Sequence, residues 1–474
     1  GKFGGDTDNW AWPRHTGDFS MFRVYASKDN RPAAYSPQNV PYRPKKHFSI
    51  STKGVKEGDF TMIYGFPGNT QEYILSDAVA YIAERSDPAK IAVRTGRLDI
   101  ITKAQESDPA LRIHYAAKHA SIANAWKKWQ GEALGIDRRG TVAAKFDYET
   151  QFGLWSVGRP EYAGVVMGLR AEYDRIMDAY FAYEITRETL STLPAAYTPE
   201  ERAEECFARR KFAEQALWRH AFREYGRCPK VYRTPSYAEG MARYKSPEAY
   251  ADALFEAVWE GSDSVAMQPA VRLREETKRM LDHISWMLGT KSLRNLNSKI
   301  LNELYTTYIK GLREWDRERA FYPDANLTLR VAYGSVAGYE YADGEYHKPQ
   351  TTLDGIIAKD NPEIYDYDIP QSLRDLYASK NYGRWGTVID GRRTVPVCFL
   401  ATNHTTGGNS GSPVLNAGGE LIGINFDRTW RSTMSDIAFD PAICRNIAVD
   451  IRYVLFVVDR VGGAGYLLKE MTLK

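Results

Sequence analysis

Cysteine is scarce in this sequence, and its spacing excludes the common metal motifs. The chain has four cysteines in 474 residues, at Cys206, Cys228, Cys398 and Cys444. They form neither a CxxC pair nor the spacing of a zinc site, so we predict no structural metal. Cys206 and Cys228 lie close enough in sequence to be a candidate disulfide.

The sequence also lacks a dominant charge and a long hydrophobic run. Lysine and arginine total 63 against 60 for aspartate and glutamate, which leaves a net charge of +3. This balance argues against nucleic acid as the main partner. Because no apolar run approaches the ~20 residues of a membrane helix, we expect no membrane span.

The first residues also lack the positively charged start and apolar run of a signal peptide, so we expect none in this chain. The chain begins at Gly1, and its first residues, GKFGGDTDNWAWPRHTGDFS, are dense in aromatic residues like the middle of a domain. We therefore expect a stretch upstream of Gly1 to belong to the same protein, with the N-terminal part of its first β domain missing from this chain.

Two β-type regions flank a long helical block. FSMFRVYAS at 19–27 alternates, and DFTMIYGFPGN places Phe60, Met62 and Tyr64 on one face. After residue 326 strands return in LTLRVAYG, VPVCFLATN and VLNAGGELIGINFD. This order predicts an α+β multidomain protein with a large all-helical domain inserted inside or between β-barrel parts.

Apolar stripes at steps of three and four predict the helix–helix core of that block. One stripe is Val166, Leu169, Tyr173, Ile176 or Met177, and Tyr180, and another is Leu293, Leu296, Ile300, Leu304, Tyr308 and Leu312. We assign residues 1–70 to the first β-barrel half, 71–325 to a helical capping domain and 326–474 to the second half.

The segment TTGGNSGSPVLN, residues 405–416, resembles the nucleophile loop of chymotrypsin-like serine peptidases. In such a loop Ser410 is the nucleophile, and flanking glycines let the N–H groups of Gly408 and Ser410 hold an oxyanion. The resemblance implies a chymotrypsin-like double β-barrel. The alternative is an ordinary glycine-rich hairpin turn.

A serine nucleophile requires a base and an orienting group. Asp18 falls early and before an apolar strand, where the orienting aspartate of a His, Asp, Ser chain order is expected. His404, close to Ser410, and His15, close to Asp18, are the alternatives for the base among eight histidines.

Two motif groups resemble the bacterial dipeptidyl-peptidase 7 and 11 family, also called serine peptidase family 46, and within it the Asp/Glu-specific branch. They are NWAWPRHTGDFS at 9–20, and NHTTGGNSGSP with GINFDR near the other end. The resemblance covers essentially the whole chain and implies Asp18 and Ser410 as triad members. The family's histidine precedes the HTGD motif, so we expect this chain to lack it and to be inactive as given.

The same resemblance implies the residues that recognise the substrate. Amine binding falls on Asn9, Trp10, Asn124 and Asp427, because a carboxylate, amide oxygens and an aromatic wall suit an ammonium group. Specificity falls on Arg428, which would pair bidentately with a substrate Asp or Glu. Without the resemblance, these positions are ordinary turn, core and surface residues.

Together these features predict a serine exopeptidase that releases dipeptides from the free N-terminus of peptides, with Asp or Glu as the second residue. It needs no cofactor and no metal. The resemblance implies a homodimer at the periplasm or cell surface of a Gram-negative bacterium. The alternatives are a dipeptidyl peptidase that prefers apolar residues, a glutamyl endopeptidase and a non-catalytic peptide-binding fragment.

Overall fold

Strands from both ends of the chain form one unit, and the helices between them form another. The computed structural model describes residues 2–5, 7–18, 20–261, 264–290 and 296–474. The strand unit comprises Gly1–Gln71 with Asp324–Lys474, and the helical unit comprises Glu72–Pro323. The chain is therefore a mixed helix and sheet protein with a large helical part. The assignment of the two flanks to barrel halves stays a prediction.

The strand unit is built around a seven-stranded antiparallel sheet. Its order is β6–β5–β13–β14–β15–β12–β9, and the other strands pair two by two. The strands are β1 (Lys2–Phe3), β2 (Gly17–Asp18), β3 (Tyr25–Ala26), β4 (Val40–Pro41), β5 (Phe60–Gly65), β6 (Arg330–Ser335), β7 (Tyr339–Ala342), β8 (Glu345–His347), β9 (Gln350–Thr352), β10 (Thr387–Ile389), β11 (Arg392–Thr394), β12 (Pro396–Ala401), β13 (Pro413–Leu415), β14 (Leu421–Arg428) and β15 (Asn446–Asp450).

The apolar segments after residue 326 form strands of this sheet, with β13 and β14 in its interior and β6 at one edge, which confirms their prediction as strands. Every residue of β12 is buried, as expected of a strand covered on both faces. β13 and β14 form a hairpin, whose turn contains Gly419 at φ +73°. The sheet core contains Val55, Ile63, Val336, Phe399, Val414, Ile422 and Ala448.

One detail of the N-terminal β region differs from the sequence expectation. Within the described part of 19–27, β3 is the stretch that pairs, and its partner is β4. Met21 and Phe22 are exposed, so alternation alone formed no long strand there, because a strand also needs a neighbour and a face to bury. In β5 the expectation is confirmed: Phe60, Met62 and Tyr64 share one face, which is the more exposed one.

The helical unit contains α1 to α11, and three short helices lie in the strand unit. They are α1 (Ser76–Tyr81), α2 (Asp87–Ser107), α3 (Pro109–Arg138), α4 (Thr141–Ser156), α5 (Val165–Glu188), α6 (Pro199–Ala203), α7 (Lys211–Tyr225), α8 (Pro235–Tyr244), α9 (Pro247–Glu260), α10 (Ser264–Met287) and α11 (Lys299–Trp315), followed by α12 (Leu353–Ala358), α13 (Gln371–Ala378) and α14 (Ile451–Phe456). No helix in the described ranges is long and apolar enough to span a membrane.

Side-chain caps explain where several of these helices begin. Asp108 accepts the N–H of Ala110 at 2.7 Å before α3. Thr198 and Glu201 form a reciprocal capping box at α6. Ser298 accepts the N–H of Leu301 at 3.1 Å at α11. Each cap satisfies an amide that has no partner within its helix.

The first apolar stripe is confirmed from Leu169 onward, and the second is confirmed only in part. α5 buries Leu169, Tyr173, Ile176 and Tyr180, whereas Val166 is half-buried and its neighbour Val165 is buried. In the second stripe Leu293 lies outside the described residues. α11 buries Tyr308 and Leu312, but Ile300 in its first turn is 47% exposed, and the next residue, Leu301, is buried instead.

The candidate disulfide is not formed. All four cysteines are free thiols in the structure, and Cys228 and Cys398 are buried. Burial raises the pKa of the Cys228 thiol to about 11 and that of Cys398 to about 12, because the thiolate loses its hydration. These two thiols are therefore apolar core groups rather than reactive ones.

Candidate active site

Ser410 lies on an exposed turn between β12 and β13. Its Oγ donates a hydrogen bond to the carbonyl oxygen of Phe426 on β14 at 3.0 Å. The N–H of Gly411 donates to the carbonyl oxygen of Asn425 at 2.8 Å, and the N–H of Asn425 donates to Ser412 at 2.9 Å. The loop is thus attached to β14 on both sides of Ser410.

Three buried asparagines support this loop from below. Asn409 accepts the N–H of Thr406 at 3.1 Å through its Oδ1. Asn425 Nδ2 donates to the carbonyl oxygen of Asn409 at 3.2 Å, and Asn446 Nδ2 donates to Asn425 Oδ1 at 2.9 Å. This chain of amides connects the loop to β14 and β15. Because its members are buried, each lost hydrogen bond would leave an unsatisfied polar group.

Glycine is required at Gly408 for two reasons. Its φ is +105°, in the region that L side chains rarely adopt. A Cβ at this position would also clash with the carbonyl oxygen of Phe66. Within the described residues, the N–H groups of Gly408 and Ser410 donate no hydrogen bond to the protein, so both remain available as donors to a ligand.

The structure does not bring a histidine into contact with Ser410 within the described residues. His404 Nε2 lies 3.0 Å from the carbonyl oxygen of Ser435, its ring stacks on Phe439, and burial lowers its pKa. Burial, with the charge of Lys359, lowers the pKa of His15 to about 4. The backbone of Asp18 lies in β2, and its side chain lies outside the described part of the structure.

The predicted residues Trp10 and Asp427 lie together. The N–H of Trp10 donates to Asp427 Oδ2 at 3.1 Å, and Trp10 has a φ of +66°. Such a backbone conformation is uncommon for a large residue and is often found at functional sites. Asp427 also forms a buried ion pair with Arg14, so its carboxylate has a counter-ion within the chain.

The predicted residue Arg428 is also paired. Its Nη1 and Nη2 donate to Asp436 Oδ1 and Oδ2 at 2.6 and 2.7 Å, and Nη1 lies 2.8 Å from Ser435 Oγ. The guanidinium lies over the ring of Trp10, 5.6 Å from its centroid. Nη1 also donates to the carbonyl oxygen of Thr405 at 3.3 Å, so Arg428 contacts the segment that leads to Ser410.

A β-bulge precedes Asp427 and Arg428 on β14. The pairing of β14 with β15 shifts register between Asn425 and Asp427, and Asp427 and Arg428 then pair in regular succession. Residues two apart in a regular strand share a face, so the bulge removes the shared face that Asn425 and Asp427 would otherwise have. The sequence motifs predicted Asp427 and Arg428 as site residues but not their partners Arg14 and Asp436. Arg14 lies inside the NWAWPRHTGD motif, so that motif was the one available signal for it.

The two remaining predicted residues belong to different units. Asn9 is half-buried beside Trp10 in the strand unit, and Asn124 is exposed on α3 of the helical unit. Each unit by itself therefore holds part of the predicted amine site. The roles of Asn9 and Asn124 stay predictions.

One group of side chains in the described ranges has the composition of a metal site. It consists of His114, Glu204 and Cys206 in the helical unit. Arg210 Nη1 donates to His114 Nε2 at 2.8 Å, which leaves the proton on Nδ1, 3.4 Å from Glu204 Oε2. This arrangement is that of a hydrogen-bonded ion-pair network, and it does not present His114 as a metal ligand.

Comparison with known proteins identifies the family. The profile of peptidase S46 matches residues 1–208 and 198–473. The chain belongs to the peptidase S46 family. This confirms the family resemblance seen in the two motif groups.

Several members of the peptidase S46 family are similar over the whole chain. The Asp/Glu-specific dipeptidyl-peptidase of Capnocytophaga gingivalis is 41% identical, with 100% of this chain and 71% of that protein covered. Dipeptidyl-peptidase 7 of Phocaeicola vulgatus is 34% identical, with coverage of 100% and 71%. The crystal structure of Porphyromonas endodontalis DPP11 in complex with the dipeptide Arg-Glu superposes with a TM-score of 0.83 at 33% identity, covering 100% of this chain and 73% of that one.

The two adjacent glycines of the loop provide a matched test of its geometry. We expect Gly408→Ala to lower the free energy of unfolding by about 1–3 kcal/mol, because it adds both a backbone penalty and a clash. Gly407→Ala should change it by less than about 0.5 kcal/mol, since a Cβ there meets no atom within 4 Å. Urea unfolding measures both. Equal stability of the two variants would contradict the described loop.

Proposed function

We propose that the chain is the peptidase part of a serine exopeptidase that releases dipeptides ending in Asp or Glu from the free N-terminus of peptides. The observation that carries this proposal is the placement of Asp427 and Arg428 on the strand that anchors the Ser410 loop. The Asp/Glu-specific dipeptidyl-peptidases among its relatives support the same substrate class.

The proposed reaction is acyl transfer. Ser410 Oγ attacks the carbonyl carbon of the second residue, and a general base oriented by Asp18 takes the serine proton and passes it to the leaving amine of the third residue. The N–H groups of Gly408 and Ser410 hold the negative oxygen of the tetrahedral intermediate. Water then releases the dipeptide from Ser410. Neither His404 nor His15 is proposed as the base, because burial disfavours the protonated form of each.

The same proposal assigns the substrate contacts. Asp427 receives the substrate ammonium, with Asn9, Trp10 and Asn124 as further amine-binding residues. A carboxylate offers about four acceptor positions, so Asp427 can keep Arg14 and still accept an ammonium proton. Arg428 receives the acidic side chain of the second residue.

Further parts of the proposal rest on the resemblance to this family. They are a chymotrypsin-like double β-barrel formed by residues 1–70 and 326–474, with residues 71–325 as a helical capping domain. They also include a homodimer at the periplasm or cell surface of a Gram-negative bacterium, and a mechanism without metal or cofactor.

Ser410→Ala tests the nucleophile. In the full-length gene product we expect kcat on a dipeptidyl substrate to fall at least about a thousandfold, because oxyanion binding alone cannot replace the nucleophile. Dipeptide affinity should stay within about twofold, since backbone amides shape the oxyanion site. Ser379→Ala, at an exposed serine of the same unit, is the control. Retained turnover in Ser410→Ala would remove this residue from the mechanism.

Asp427→Asn tests the amine site and separates an exopeptidase from a glutamyl endopeptidase. We expect kcat/KM on free-amine substrates to fall at least about a hundredfold, because a desolvated ammonium loses its counter-charge. Peptides with an acetylated N-terminus should be poor substrates of the unmodified enzyme. If acetylated and free peptides are cut equally well, the amine site does not exist and the endopeptidase interpretation gains support.

Arg428→Gln tests the acidic preference. A charge-assisted pair contributes roughly 1.5–3 kcal/mol, so we expect the ratio of kcat/KM for Glu over Gln at the second position to fall about ten- to a hundredfold. Arg431→Gln is the matched control. Arg431 is a half-buried arginine that follows shortly after Arg428 in the chain, and it pairs with Glu345. If the ratio is unchanged in Arg428→Gln, another cation sets the preference for acidic side chains, or the enzyme has no such preference.

A further inference from the structure

The side chain that meets Arg428 in the structure is itself a carboxylate. Asp436 occupies the Nη1–Nη2 edge of the guanidinium in a bidentate pair, and Arg428 and Asp436 are only 4% and 8% exposed. This is the geometry in which arginine binds a free carboxylate. A substrate Asp or Glu that reached Arg428 would therefore be the second anion at one cation.

Asp436 is held beside Arg428 by its own backbone. It ends the 3₁₀ turn Trp430–Asp436, in which residues 432–436 are buried. Its carbonyl oxygen accepts the N–H of Gln71 at 2.6 Å, and the carbonyl oxygen of Ser435 lies 3.0 Å from His404 Nε2. The carboxylate thus stays a close neighbour of any ligand that binds Arg428.

We propose that Asp436 is a specificity-determining residue that competes with the acidic side chain of the substrate for Arg428. The inference rests on the proposed function, in which Arg428 receives that side chain. Two carboxylates at one guanidinium attract the same charge and repel each other. Asp436 therefore moderates the preference for acidic over neutral side chains, acting through Arg428 rather than on the reacting atoms.

The pairing of Asp436 with Arg428 predicts the direction in which removing the Asp436 charge changes ligand binding. Without the charge of Asp436, the buried guanidinium of Arg428 loses the carboxylate on its Nη1–Nη2 edge, which destabilises the ligand-free protein. An acidic ligand can replace that carboxylate, and a neutral ligand of the same shape cannot. Loss of the Asp436 charge should thus strengthen the binding of acidic ligands selectively.

The test compares Arg-Glu with Arg-Gln, two dipeptides of nearly equal shape, by calorimetric titration of the 474-residue chain. We expect Asp436→Asn to raise the ratio of the affinities for Arg-Glu over Arg-Gln about fivefold or more, in the range of typical site–site coupling. Asp436→Glu keeps the charge, and its ratio should stay within about twofold of the unmodified chain. A ratio that is unchanged or lower in Asp436→Asn overturns the inference.

A matched control separates this effect from a general loss of stability. Asp450 forms a similar buried bidentate pair with Arg452, at 2.9 and 2.7 Å, in the same unit. Asp450→Asn should lower the melting temperature and leave the Arg-Glu to Arg-Gln ratio unchanged. If Asp450→Asn raises the ratio as much as Asp436→Asn, the effect is structural and the inference fails.

A second pair of variants tests the inference even if Asp436→Asn does not fold. In Arg428→Gln the carboxylate of Asp436 can only repel an acidic ligand, so adding Asp436→Asn should raise the Arg-Glu to Arg-Gln ratio there as well. If Arg428→Gln leaves the ratio of the unmodified chain unchanged, the proposed role of Arg428 fails, and the inference with it. If Arg428→Gln lowers the ratio but the double variant does not recover any of it, the inference about Asp436 fails alone.

Discussion

The attachment of the Ser410 loop to β14 is the interaction on which the candidate active site depends. Asn425 holds this loop through its backbone and its side chain. A bulge follows Asn425, and beyond it Asp427 and Arg428 follow each other with opposite charges. The bulge removes the shared face that Asn425 and Asp427 would have in a regular strand. One strand therefore anchors the loop of Ser410 and carries both charged groups that the proposed function assigns to the substrate.

Each of these charges is compensated by a residue elsewhere in the chain. Arg14 pairs with Asp427, and Asp436 pairs with Arg428. An uncompensated buried charge would be costly, so the pairs stabilise the site without a ligand. Binding of a charged substrate then becomes an exchange or sharing of partners. Such an exchange gains less binding free energy than the binding of the same substrate to an unpaired charge would. A smaller gain suits an enzyme that must also release an acidic product.

The elements that could be predicted from the sequence depend on local chemistry. The loop around Ser410 needs glycine at Gly408, where φ is positive, and the motif shows this directly. The stripe of α5 follows from helix periodicity alone. The prediction failed where a local pattern needed a distant neighbour: the described part of 19–27 formed only the short strand β3, and Ile300 in the predicted stripe of α11 stays exposed.

The sequence by itself determined the family, and it pointed to the Ser410 loop, Asp427 and Arg428 as candidate site residues, because these are contiguous motifs whose residue types serve one chemistry. Only the tertiary structure decided which groups those charges meet. The partners of the Arg14–Asp427 pair stand 413 positions apart, and Asp436 reaches Arg428 because a buried turn folds back after β14. The spacing of residues in the sequence does not predict such contacts. They form because a buried charge requires a compensating neighbour, and the fold decides which residue that neighbour is.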